Sequence, residues 1–91
     1  MIRRFTVTGK SMEPSYHDGD VVIAHRFARY KENDVIVCHD PRERDRLLIK
    51  RVHSVALSSY TVVGDNPDAS TDSRSFGAVQ KKDIIGRVIL S

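Results

Sequence analysis

The 91-residue chain is poor in the residues that staple, stack or span: it has one cysteine, no tryptophan, three prolines and five glycines. With Cys38 as the only cysteine, no intrachain disulfide can form, which excludes a disulfide-stapled secreted scaffold and fits a reducing compartment. No apolar run approaches the roughly 20 residues of a membrane span. The longest are short, as in Val21-Val22-Ile23-Ala24, so no transmembrane segment is expected in this sequence. The Arg3-Arg4 pair is followed by Thr6, Thr8, Gly9 and Lys10, where an export signal needs an apolar stretch, and the expected location is therefore cytoplasmic. Charge of one sign is also scarce, with 15 basic residues against 12 acidic ones and a net charge of +3. Phe5, Tyr16, Phe27, Tyr30, Tyr60 and Phe76 are the only aromatics and are not interleaved with a basic stripe, so no nucleic-acid partner is expected.

What is present suits one folded domain over residues 1–91, with 40% hydrophobic and 30% charged residues. Short runs rich in β-branched residues alternate with turn chemistry, which predicts a mainly β, compact antiparallel sheet domain. The expected strands are Phe5 to Thr8, Asp20 to Ala24, Asp34 to His39, Leu47 to Val55, Ser59 to Val63 and Ile84 to Leu90. Between them lie Glu13-Pro14-Ser15, His17-Asp18-Gly19, Glu32-Asn33, Asp40-Pro41 and Gly64-Asp65-Asn66-Pro67. The charged stretch from Asp40 to Arg46 reads as a solvated hairpin tip, and the segment from Pro67 to Gly77 as an irregular loop of the kind that often carries function.

Two residues stand out chemically. Ser11 falls where an extended segment meets a proline-containing turn. A serine there ordinarily bonds the local backbone, and becomes a nucleophile only beside a base. Lys50, in Leu47-Leu48-Ile49-Lys50-Arg51-Val52, shares a strand face with Leu48 and Val52. Such a lysine either lays its stem on apolar surface with the ammonium in water, or is buried enough to be neutral and take a proton. Lys10 is adjacent to Ser11 and points away from it on an extended chain, which suits a solvent-facing or substrate-rim charge. His17, His25, His39 and His53 show no paired metal spacing, so no metal or other cofactor is expected. Cys38, beside Val35-Ile36-Val37, reads as a buried inert thiol.

Taken in order, Gly9-x-Ser11-Met12-x-Pro14, Gly19-Asp20-x-Val22, Lys50-Arg51-Val52 and the segment from Gly64-Asp65-Asn66 to Gly77 resemble the Ser/Lys signal peptidase family across nearly the whole chain. The resemblance implies the antiparallel β catalytic fold shared by signal peptidases and self-cleaving repressors. It implies that Ser11 attacks the scissile carbonyl and that Lys50 takes its proton and returns it to the leaving amine. It also places Gly9 and Met12 around the oxyanion site, with the Ser11 N–H as a donor. Gly9 stands where some relatives carry a serine hydroxyl. By the same resemblance Ser70 positions the lysine, and Asp72 and Arg74 form a bracing ion pair. Asn33-Asp34 stands where a second Gly-Asp is common.

Within that family the wording Gly64-Asp65-Asn66-Pro67-x-Ala69-Ser70-x-Asp72-Ser73-Arg74-x-Phe76-Gly77 is most similar to the maturation proteases of nickel-type superoxide dismutase. The expected partner is thus a precursor protein with an N-terminal extension, most specifically a nickel superoxide dismutase precursor. The alternatives are a type I signal peptidase catalytic domain cleaving secretory signal peptides at a membrane, and an inactive binding module of the same fold. A self-cleaving repressor ranks below these, because no Ala-Gly cleavage segment precedes Ser11.

Overall fold

The alternation of small apolar and polar residues sets the strands: Val22 and Ala24 point inward from one strand, and Tyr60 and Val62 from another, while their neighbours stay partly or fully exposed. The computed structural model describes residues 2–69 and 76–90. Its strands are β1 (Ile2–Thr6), β2 (Val21–His25), β3 (Val35–Asp40), β4 (Glu43–Val55), β5 (Ser59–Val63), β6 (Val79–Gln80) and β7 (Ile84–Leu90). They form one seven-stranded sheet in the order β1-β2-β7-β3-β4-β5-β6, with every pairing antiparallel. The expected mainly β, antiparallel fold is the one observed.

β3 explains the centre of the molecule. Val35, Ile36, Val37 and Cys38 are all buried, because the strand lies between β7 and β4 and is covered on both faces. Ile36 and Cys38 join Tyr30, Val52, Tyr60, Val62, Val79 and Ile84 in one core cluster. Each buried valine or isoleucine of this cluster stabilises the fold by about 1.5–3 kcal/mol relative to exposure. The Tyr30 and Tyr60 rings meet edge to face at 5.9 Å, and their hydroxyls accept backbone N–H groups from Phe27 and Tyr30.

The structure adjusts several expected boundaries. β1 starts at Ile2 and ends at Thr6 instead of running from Phe5 to Thr8. β4 begins at Glu43, so the polar residues before Leu47 belong to the strand. β6 is only two residues long, too short for an alternation to reveal. Asn33 takes a left-handed backbone, φ 74°, which asparagine tolerates better than most residues and which accounts for its standing in a glycine's place.

Candidate active site

β1 gives way to an ordered turn before Ser11. Val7 extends the β1–β2 pairing by donating to the Asp20 carbonyl at 2.7 Å and accepting the Gly19 N–H at 2.8 Å. Gly9 then turns the chain with φ +82°, its N–H held by Asp18 Oδ1 at 2.7 Å. Met12 is 1% exposed and anchors the turn from below. The Glu13 N–H donates to the Lys10 carbonyl and the Tyr16 N–H to the Met12 carbonyl, which leaves Ser11 half-buried on a closed loop and not on an extended strand.

Lys50 comes from the middle of β4, in register with Ile36 of β3 and between Leu48 and Val52 on its own face. It is 2% exposed, so of the two arrangements the sequence left open for this lysine the buried one is observed. Ser11 and Lys50 line the same cleft, of about 270 Å3, together with Gly9 and Lys10. Its walls are Phe5 to Thr8 on one side and Arg46 to Ile49 on the other, with Val22 and Val37 between. A hydroxyl and a buried amine lining one cleft are the two kinds of group that general-base activation of a serine combines.

The loop after β5 ties these two parts together. The Asn66 N–H donates to the Ser11 carbonyl at 2.8 Å, and Asn66 Nδ2 donates to the Lys10 carbonyl at 3.1 Å. Asp65 accepts the Ser15 hydroxyl at 2.6 Å and takes both arms of Arg51, the residue after Lys50. The Arg51 guanidinium holds the Asp65 carboxyl below its ordinary range; burial opposes this and the Ser15 hydrogen bond adds to it. Arg51, Asp65 and Asn66 therefore tie the Ser11 turn to the strand that carries Lys50. Their signal was the Lys-Arg-Val and Gly-Asp-Asn wording, which marked a likeness without showing which groups would meet.

The segment from Asp40 to Arg46 is not the plain solvated tip expected of it. Asp40 is 1% exposed, and its carboxylate accepts Arg42 Nε at 3.1 Å, Arg42 Nη2 at 2.9 Å and the Arg42 N–H at 2.8 Å. The Arg42 side-chain bonds hold the Asp40 carboxyl low against its burial. Arg44 reaches the buried Asp83, whose desolvation is outweighed by Arg44 and the Gln80 N–H, so that carboxyl is also lowered. The first pair holds the hairpin turn and the second ties the hairpin to the turn before β7, because a buried carboxylate has to be satisfied by charge and hydrogen bonds. Burial pushes the Cys38 thiol up to about 12, which agrees with an inert buried cysteine. Ser70, Asp72 and Arg74 lie outside the described residues.

The Peptidase S24-like family model matches residues 4–89. The chain belongs to the Peptidase S24-like family. It is 32% identical to the mitochondrial ATP-independent inner membrane protease subunit 1a of Arabidopsis thaliana, over 92% of this chain and 66% of that protein. It is 33% identical to the mitochondrial inner membrane protease subunit 1 of Xenopus tropicalis, over 91% of this chain and 64% of that protein. The human protein of the same name is 28% identical over 89% of the chain and 63% of its own length. The chain thus spans just under two thirds of these relatives. This S24-like membership agrees with the Ser/Lys peptidase resemblance and favours an enzyme over a bare binding module. The expected cytoplasmic location is overturned: the relatives are inner membrane proteases by name, which points to membrane association. Among the described residues no helix is long and apolar enough to cross a membrane.

Proposed function

We propose that this S24-like chain is the catalytic domain of a signal-peptidase-like serine endopeptidase that trims precursor proteins at a membrane. The observation that carries the reading is the shared cleft of Ser11 and the buried Lys50. Lys50 in its neutral form takes the Ser11 hydroxyl proton as the oxygen attacks the scissile carbonyl, and donates it to the departing amine. Water then attacks the acyl ester on Ser11, again with Lys50 as base, and frees the acid product. The Ser11 N–H is the backbone donor for the oxyanion, at a position set by the closed turn and the Asn66 bond beneath it. The protease-named relatives support precursor processing at a membrane, and no observation singles out a nickel superoxide dismutase precursor.

The test is mass spectrometry of signal-peptide-bearing precursors and of a nickel superoxide dismutase precursor, each incubated with the wild type and with Ser11→Ala. One defined N-terminal cut in the signal-peptide precursors by the wild type alone is expected. A cut confined to the nickel enzyme precursor would move the substrate there. Equal cutting by Ser11→Ala, or none by either protein, would remove the serine endopeptidase reading.

A further inference from the structure

The cleft carries more charge than the reaction uses. Lys10, Arg42 and Arg46 line it beside Lys50, and among the described residues that line it there is no aspartate or glutamate. The acidic groups nearby are otherwise placed: Asp40 is buried under Arg42, and Glu43 and Asp45 are exposed on the hairpin. Arg42 is stiffened by its two side-chain bonds to Asp40 and by stacking over the Phe76 ring at 5.1 Å. Arg46 is different. Among the described residues it forms no salt bridge, and it reaches Asp40 only through the field that helps to lower that carboxyl. Cations on apolar walls such as Phe5, Leu47 and Leu48 attract an anion more strongly than the same charges on an open surface.

Position gives this charge a meaning for specificity. β4 pairs with β3 across Leu47 to Arg51, but its pairing with β5 begins only at Arg51. Among the described residues no strand pairs with the other edge of Arg46 to Ile49, which faces the cleft as an edge to which an extended peptide could add as a strand. Arg46 precedes Lys50 by four residues on that strand, about 13 Å at strand rise. We infer that Arg46, with Arg42 beside it, forms a subsite for a carboxylate side chain of the substrate, about four residues from the scissile bond. The inference rests on the peptidase reading for the position of the bond, and its charge preference is separable from the chemistry.

The probe is a fluorescein-labelled Ala/Ser/Gly dodecapeptide carrying a single Glu, Ala or Lys at each position in turn. Its binding to the Ser11→Ala protein is measured by anisotropy, and its cleavage by the wild type by mass spectrometry. Glu at one position is expected to tighten binding about tenfold over Ala and to raise kcat/KM similarly, with the gain shrinking as salt rises. Arg46→Glu should reverse the ranking in favour of Lys, and Arg46→Gln should abolish it, with thermal melts confirming that both fold. Equal affinity for Glu, Ala and Lys peptides, no binding by any of them, or a Glu preference that survives in Arg46→Glu would overturn the subsite. A Glu preference in binding without cleavage by the wild type would instead overturn the peptidase reading and leave the subsite standing.

Discussion

Arg51 grips Asp65 with two parallel hydrogen bonds, Nε to Oδ1 at 2.9 Å and Nη2 to Oδ2 at 2.8 Å, and so fastens the strand position next to Lys50 to the loop that carries the Ser11 turn. A third contact, Arg51 Nη1 to the Asn33 carbonyl at 2.9 Å, fixes the guanidinium from the other side. The fork supplies direction as well as attraction, which an ammonium cannot do. Asp65→Asn and Arg51→Lys are therefore expected to lower kcat/KM by about 10- to 100-fold, through misplacement of the pair and not loss of either group. Steady-state kinetics and a melt on the same sample check this. Activity near wild type in both variants would mean that the brace does not set the site.

The lysine itself gives a sharper test. If Lys50 is the base, its neutral form is the active one, and kcat/KM rises with pH until that form dominates. Lys50→Arg keeps the charge but cannot release a proton, and it is expected to be as inactive as Lys50→Ala. A flat rate profile from neutral to alkaline pH, with chemistry limiting, would exclude the lysine base.

Acid should loosen the same region. Asp65 and Asp40 have folded-state pKa values below their ordinary range, owing first to their side-chain bonds with Arg51 and Arg42. Their contribution is fully present above the unfolded carboxylate value of about 3.9 and is lost as pH falls through the lowered values. Melting temperature is expected to be level between about pH 7 and 5 and to fall below about pH 4. Asp40→Asn, which cannot lose that charge, should show a shallower fall than the wild type. A parallel fall in both proteins would assign the loss to other groups.

The strands were legible because alternation is local: Val22 and Ala24, or Tyr60 and Val62, announce their face without reference to anything distant. The face of Lys50 was legible for the same reason, shared with Leu48 and Val52, but whether its amine reached water or was buried was not. The brace was not. Ser15 and Asp65 are 50 residues apart and Lys10 and Asn66 are 56 apart, so no spacing rule connects them before the sheet is formed. The Asp40–Arg42 pair was hidden for another reason. It is only two residues long in sequence and looks like any exposed charge pair until the fold buries the carboxylate and leaves the arginine on the cleft.

Gly9 separates strain from chemistry. Its φ of +82° disfavours any side chain, yet a Cβ built there meets no atom within 4 Å, so the obstacle is the backbone and not space. Gly9→Ala and Gly9→Ser should each lose about 1–2 kcal/mol of stability. For a domain of this size that is a fall in melting temperature of about 4–8 °C per kcal/mol. The two differ in one hydroxyl, which in the serine variant has room to reach an oxyanion formed at Ser11. The expected result is equal destabilisation, with kcat of the serine variant above that of the alanine variant. Equal kcat in the two, measured below both melting temperatures, would place this position outside the oxyanion site and leave Gly9 with the turn alone.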